Sequence, residues 1–213
     1  VLASTGILIL LPALLLLVLE WSASFAELSL KGKFVAAVFH SVSMRTGGFN
    51  TVDVGKFGAA AMWLTSLVML IGAGPVSTAG GVRVTSAAAA WAFLRAEVRG
   101  HRASLFDRVL PEATVRRALA VILVSTLFVL TMTALLLSEE RYAPLAALFE
   151  VCSAFATCGL SSGVTAQLSS FGKVVLIVTM LIGRVGPLTF VLALFVARGP
   201  RRAELAEERV LLG

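Results

Sequence analysis

Two short turns of like sequence, Thr46-Gly47-Gly48-Phe49 and Thr157-Cys158-Gly159-Leu160, stand far apart in a chain of 213 residues. A Thr-x-Gly turn offers backbone rather than side-chain chemistry. Gly48 and Gly159 supply the conformational freedom that lets carbonyl oxygens leave helical pairing. Carbonyl oxygens aimed at an axis can replace the hydration shell of a cation. The competing reading is an ordinary turn that caps a short interfacial helix. The recurrence favours the first: Met69-Leu70-Ile71-Gly72 also returns, at the same offset, as Met180-Leu181-Ile182-Gly183, so a whole unit is duplicated.

Two more constellations lie where the copies diverge. After Gly72 the chain reads Gly72-Ala73-Gly74-Pro75-Val76-Ser77-Thr78-Ala79-Gly80-Gly81-Val82-Arg83 before an apolar run resumes at Val84. From Phe57 to Leu94 a straight helix would be about 57 Å long, nearly twice a hydrocarbon core of about 30 Å. The helix must therefore break, and a segment rich in Gly, Ser and Thr at membrane depth reads as an intramembrane gate. Two alternatives stand beside it: a plain kink, or a phosphate-cradling loop in a membrane-embedded enzyme or anion-binding subunit. The phosphate-loop pattern GxxxxGK[ST] and its preceding strand are missing. In the second copy Arg184 takes the place of Ala73, inside an otherwise apolar run between Gly183 and Gly186-Pro187. An arginine there must face a watery cavity or find carbonyl partners. It could hold the gate segment and repel cations, or be a structural arginine satisfied by exposed backbone.

Other residues carry less. His40, Arg45 and Glu150 could tune an outer mouth or simply pack. Trp21, Trp63 and Trp91 read as interfacial or packing aromatics. Cys152 and Cys158 have neither CxxC nor Cys/His spacing and read as small, buried, inert thiols. No Ser/His/Asp, Cys/His or paired-carboxylate arrangement is credible, so the sequence does not read as an enzyme.

The elements that must position these turns follow from composition. The chain is 58% hydrophobic and 14% charged, with a mean hydropathy of +0.95; this is the composition of an integral membrane protein. Apolar stretches over residues 5–19, 57–73, about 118–137 and about 174–197 are candidate spans. Between them lie two shorter apolar runs, Phe34 to Val42 and Ala143 to Ala156, each followed at once by its turn. Runs of that length suit re-entrant helices, and exposed carbonyls at that depth are tolerated only where they line a cavity. The repeat is span, half-helix, glycine turn, span. The net charge of +6 comes from arginines clustered at 95–117 and 198–209, which the positive-inside rule places in the cytoplasm. No nucleic-acid partner is needed to explain them; anionic lipid and topology suffice. The opening at Val1, almost inside an apolar segment, and the absence of a leader suggest a fragment of a larger protein.

Taken together, Arg45 to Thr51, the segment 72–83, Ala156 to Ser161 and Ile182-Gly183-Arg184-Val185-Gly186-Pro187-Leu188-Thr189 resemble the Trk/Ktr/HKT superfamily of potassium transporters over nearly the whole chain. The resemblance implies an all-α membrane protein of repeated span, re-entrant pore helix and span units around a pseudo-fourfold pore. It makes residues 1–98 a third repeat with a broken second span, 99–117 a cytoplasmic basic connection, 118–198 a fourth repeat and 199–213 a cytoplasmic tail. It implies a potassium filter at Thr46, Gly47, Gly48, Thr157, Cys158 and Gly159. The gate would use Gly72, Gly74, Pro75, Ser77, Thr78, Gly80 and Gly81 with Arg184. Glycine at both filter positions resembles the potassium-selective members, whereas serine in some relatives goes with sodium. Also implied are a homodimer, a cytoplasmic nucleotide-binding regulatory subunit, a bacterial plasma membrane location, and no cofactor beyond the transported potassium ion.

Overall fold

The structure is a computed structural model that describes residues 2–72, 74, 80–101, 103–105, 108–139 and 142–186. These residues fold into helices α1 (Leu2–Leu19), α2 (Leu30–Ser43), α3 (Ala59–Leu70) and α4 (Val84–Arg99), then a minimal antiparallel hairpin of β1 (Ser104–Leu105) and β2 (Arg108–Val109). Helices α5 (Glu112–Leu137), α6 (Pro144–Phe155), α7 (Val164–Gln167) and α8 (Ser170–Val185) follow. The fold is helical, as the sequence predicts. The order α1, α2, turn, α3 recurs as α5, α6, turn, α8. Helix α3 starts at Ala59 and α8 at Ser170, the same offset that separates the two turns, so the second copy starts its last helix in register with the first.

Local chemistry sets the ends of the short helices. Ser29 caps α2 by accepting from Gly32 N at 3.2 Å, satisfying an orphan first-turn donor. The helix therefore begins at Leu30, upstream of the purely apolar run from Phe34. Lys33 tolerates burial in this first turn because its ammonium donates to Trp21 O at 2.7 Å and lies 4.5 Å from the Trp21 ring centroid, a cation–π contact. Helix α6 carries Pro144 in its first turn, where the missing N–H costs nothing. Helix α5 begins at Glu112 and takes Arg116 and Arg117 into its first turns, so the basic connection is partly helical.

Each copy packs on itself, α1 on α2 and α3, α5 on α6 and α8; the copies join through α3 on α6 and α4 on α5. The shared core holds Met44, Met69, Leu136, Phe149, Phe155 and Leu160, all essentially inaccessible. Ser41 Oγ donates to Ile9 O at 2.6 Å, pinning α2 to the part of α1 where Pro12 interrupts the ladder.

Large apolar side chains also cover much of the surface. Leu10, Leu14 and Val18 on α1, Leu123, Leu127 and Leu130 on α5, and Val174, Ile177 and Leu181 on α8 are all exposed. Four buried hydroxyls are satisfied within their own helices: Thr65, Ser66, Thr133 and Thr179 each donate to the carbonyl four residues back at 2.7–2.8 Å. Apolar side chains outside and internally paired hydroxyls inside suit hydrocarbon as solvent. Among the described helices α5 alone is long and apolar enough to cross a membrane; α3, α6 and Ser4–Leu19 of α1 are shorter apolar helices.

The second apolar stretch does break. Helix α3 stops at Leu70 and α4 starts at Val84, and the excursion between them is closed at its neck. Gly72 N donates to Val82 O at 2.8 Å and Val82 N to Leu70 O at 3.0 Å, a short parallel bridge between Ile71 and Val82. Its counterpart α8 runs unbroken through the matching positions to Val185.

Candidate cation site and gate segment

Helices α2 and α6 both end in the turns singled out by the sequence. Ser43 O accepts from Gly47 N at 2.8 Å and from Gly48 N at 3.0 Å, while Thr157 N and Cys158 N donate to Ala154 O at 3.1 Å and Ser153 O at 2.9 Å. The turn N–H groups are thus folded back onto the helix ends. Among the described residues no backbone–backbone hydrogen bond ends on the carbonyls of Thr46, Gly47, Gly48, Thr157, Cys158 or Gly159. Both copies share one backbone signature: φ is 73° at Thr46 and 71° at Gly48, 53° at Thr157 and 95° at Gly159. Glycine accepts that region readily, but a β-branched threonine there is strained by about 1–3 kcal/mol. The strain is of the same kind at the same place in both copies.

The two turns face each other closely. A Cβ placed on Gly48 would collide with Cys158 O, and one on Gly159 would stand 3.7 Å from Gly48 Cα. The buried Cys158 thiol fills the seam, its Sγ 3.3 Å from Met44 O and 3.5 Å from Ser43 O. The negative ends of two helix dipoles therefore converge on a pair of turns that carry carbonyl oxygens outside the backbone ladder. The chemistry this suits is stabilisation of a cation.

Side chains missed or undervalued in the sequence hold the turns in place. Glu150, on α6 and 3% exposed, accepts at Oε1 from Ser161 Oγ (2.8 Å), Ser162 N (2.8 Å) and Ser162 Oγ (2.9 Å), and at Oε2 from Thr165 Oγ1 (2.5 Å). Its carboxylate fixes the strand of chain that leaves the second turn. Ser43 Oγ donates to Phe49 O at 2.6 Å and does the equivalent for the first. Glu20, fully buried, accepts from Gly58 N at 2.8 Å and Ser24 N at 3.2 Å. It thereby ties the end of α1 to the positive end of α3. The sequence signal was a lone carboxylate ending an apolar run.

Of the residues expected to gate, Gly72, Gly80, Gly81 and Arg184 lie about the end of α6 and its turn. Gly72 and Gly81 form the neck of the excursion, and Gly80 N donates to Thr157 Oγ1 at 3.0 Å. Gly183 of α8 lies directly on the end of α6, its Cβ position overlapping Phe155 O. Arg184 lines a cavity of about 640 Å³ that also takes in Ser153, Thr157, Gly159 and Glu150. Gly74 is partly buried; Pro75, Ser77 and Thr78 lie outside the described residues, as do Pro187 and the 199–213 tail. His40 is buried with its ring 4.8 Å from that of Phe57, and Cys152 and Cys158 are buried and unpaired. Trp63 and Trp91 are exposed.

Duplicated helical units with apolar exteriors, whose short helices end in paired turns, define the class of an all-α membrane protein. The chain belongs to the TrkH family of cation transport proteins, which it matches over residues 2–200. It is 42% identical over 195 residues to the Ktr system potassium uptake protein B of Vibrio alginolyticus, covering 89% of this chain and 42% of that protein. It is 36% identical to the Ktr system potassium uptake protein D of Bacillus subtilis, over 98% of this chain and 46% of that one. The potassium/sodium uptake protein NtpJ of Enterococcus hirae is 37% identical over 82% of this chain and 40% of its own length. The crystal structure of the potassium transporter TrkH from Vibrio parahaemolyticus shares the fold, with a TM-score of 0.74 at 21% identity over 90% of this chain and 43% of that one. The chain thus spans less than half the length of these relatives. Membership of a transport family sets aside the reading of the Gly-rich segment as part of an enzyme.

Proposed function

We propose that this chain contributes two of the units that surround a potassium pathway across a bacterial plasma membrane. The filter carbonyls come from Thr46, Gly47, Gly48, Thr157, Cys158 and Gly159. The observation that carries the reading is the pair of strained Thr-x-Gly turns, backbone against backbone at the converging carbonyl ends of α2 and α6. The excursion from Gly72 to Gly81, with Gly74, Pro75, Ser77, Thr78 and Gly80, serves as the gate, and Arg184 is its cationic counterpart. The complete protein works as a homodimer with a cytoplasmic nucleotide-binding regulatory subunit. The arginine-rich connection and the tail are where that subunit docks. The names of the Ktr relatives support potassium as the ion.

The experiment is potassium-dependent growth and ion uptake by the full-length protein in a host deficient in potassium uptake. Gly48→Ser and Gly159→Ser place a side chain at a left-handed backbone position, and at Gly48 also against Cys158 O. Each is expected to lower potassium preference over sodium by about tenfold or more, since about 1.4 kcal/mol of differential binding is a factor of ten. Full rescue and unchanged selectivity with both glycines replaced would refute the filter assignment. The name of NtpJ favours a second reading, a pathway shared by sodium, which predicts comparable uptake of both ions by the unaltered protein.

A further inference from the structure

A cavity of about 680 Å³ lies between α4 and α5, at the end where the β1–β2 hairpin joins them. The positive-inside rule puts this end in the cytoplasm. Phe93, Ala96, Val115 and Leu119 give it an apolar lining, with Ala96 and Val115 buried. Its charged lining is mixed: Glu97 of α4 stands with Glu112 and Arg116 of α5. Among the described residues no ion pair or hydrogen bond joins these three side chains, although Glu112 and Arg116 are one turn apart on the same helix. Helix α5 also starts on Pro111 without a side-chain cap, so N–H groups of its first turn stay open to an acceptor. The cavity leads onto one side of α5. Glu112, Arg116, Leu119, Leu123, Leu127 and Leu130 follow at steps of three or four, which is a single helix face. Leu123, Leu127 and Leu130 on that face are exposed. Charges of both signs at the membrane edge are therefore continuous with an apolar stripe that runs into the hydrocarbon.

From this juxtaposition we propose that the α4–α5 cavity is a binding site for an inner-leaflet phospholipid whose head group carries a primary amine. Its ammonium lies at Glu97 and Glu112, its phosphate at Arg116 and the open first turn of α5, and an acyl chain follows the leucine stripe. The occupant follows from the chemistry of the lining. A free phosphate makes no use of the stripe, and an anionic head group meets two carboxylates with no cation to offer them. A quaternary ammonium has no N–H to donate and is held best by a cage of aromatic faces, whereas Phe93 is the one aromatic among the lining residues. A primary ammonium brings three donors to carboxylates that only accept, and such charge-assisted bonds are the strong ones. The volume falls within the range of about 300–1,000 Å³ usual for small-molecule sites. Arg95, Arg99 and Arg117 are exposed and do not line the cavity, so the outer face of the basic connection stays available to a protein partner. The proposal goes beyond the potassium reading and uses none of the turn residues.

The full-length protein provides the test, by native mass spectrometry with phosphatidylethanolamine, phosphatidylcholine and phosphatidylglycerol of identical acyl chains. Amide hydrogen exchange in nanodiscs of each lipid locates the site. One charge-assisted hydrogen bond corresponds to about tenfold in affinity. The unaltered protein is therefore expected to retain phosphatidylethanolamine about tenfold over the other two, with slowed exchange at residues 112–116 in that lipid alone. Glu97→Gln combined with Glu112→Gln should abolish both the preference and the slowed exchange. Arg116→Gln should weaken retention of phosphatidylethanolamine and phosphatidylcholine alike, because both carry the phosphate. Arg95→Gln, on α4 but outside the cavity, should change neither reading. All four side chains are exposed, so these exchanges leave the core intact. Equal retention of the three lipids by the unaltered protein, or a preference for phosphatidylglycerol, overturns the proposal. So does a preference that survives the paired glutamate substitutions, or one that is lost with exchange at 112–116 the same in every lipid.

Discussion

Glu150 shows how a single buried carboxylate sets the shape of a turn it does not belong to. Four donors converge on it, three of them hydroxyls that can rotate and one, Ser162 N, that cannot. Replacement by Leu strands that amide in a buried site, at a cost of about 1–3 kcal/mol. Glu150→Leu should lower the thermal unfolding midpoint in detergent and weaken potassium preference, because Ser161 to Thr165 lose the anchor that holds the chain after Gly159. Glu150→Gln should be milder in both assays: the amide oxygen keeps Ser162 N, and the Thr165 hydroxyl can turn round to accept. Equal effects of Gln and Leu would show that the packing of the side chain, not its acceptors, matters. The sequence marked Glu150 as either a mouth residue or a packing residue. Only the convergence of residues 161–165 on it decides the matter, since those contacts span 11 to 15 positions and follow no helical period.

At the scale of elements, the informative comparison is between α3 and α8. Both start in register, but α3 stops at Leu70 while α8 continues to Val185. Two backbone bonds tie Leu70 and Gly72 to Val82, so the chain that leaves α3 and the chain that enters α4 are joined at the neck. The unbroken α8 delivers Arg184 to the cavity shared with Thr157 and Gly159. An arginine beside the proposed pathway repels cations through a medium of low dielectric. Arg184→Ala is expected to raise rubidium flux through the full-length protein several-fold, and Arg184→Lys, which keeps the charge, to raise it less. Flux equal to or below that of the unaltered protein in Arg184→Ala would count against the gating role. The sequence predicted the break because the run from Phe57 to Leu94 is too long for one crossing. It did not predict the parallel bridge at the neck, since Ile71 and Val82 pair only after the chain has folded back.

For the molecule as a whole, the distribution of apolar surface makes the solvent testable. Leu127 is 63% exposed near the middle of α5, the described helix able to cross a membrane. An arginine at the centre of such a helix costs about 2.5–3.5 kcal/mol on insertion. Leu127→Arg should therefore reduce the membrane-inserted fraction in a microsomal assay, whereas Glu112→Arg at the end of the same helix should leave it unchanged. If Leu127→Arg instead left insertion intact and raised solubility, the face would belong in water.

The sequence alone determined what periodicity, composition and duplication can carry. The internal repeat placed both turns, the apolar stretches located α1, α3, α5, α6 and α8, and the glycine-rich interruption located the break. Each is written in residues near one another in the chain, or in a copy at fixed offset. The tertiary structure decided the rest. Gly48 against Cys158, the Glu20 carboxylate on Gly58 N, and the Thr157 hydroxyl on Gly80 N join positions remote from one another in the chain. Contacts of that kind depend on how α3 packs on α6 and how the two units close on each other. No local propensity encodes them, because a hydroxyl or a carboxylate finds its partner only once separate helices have been brought to the same depth.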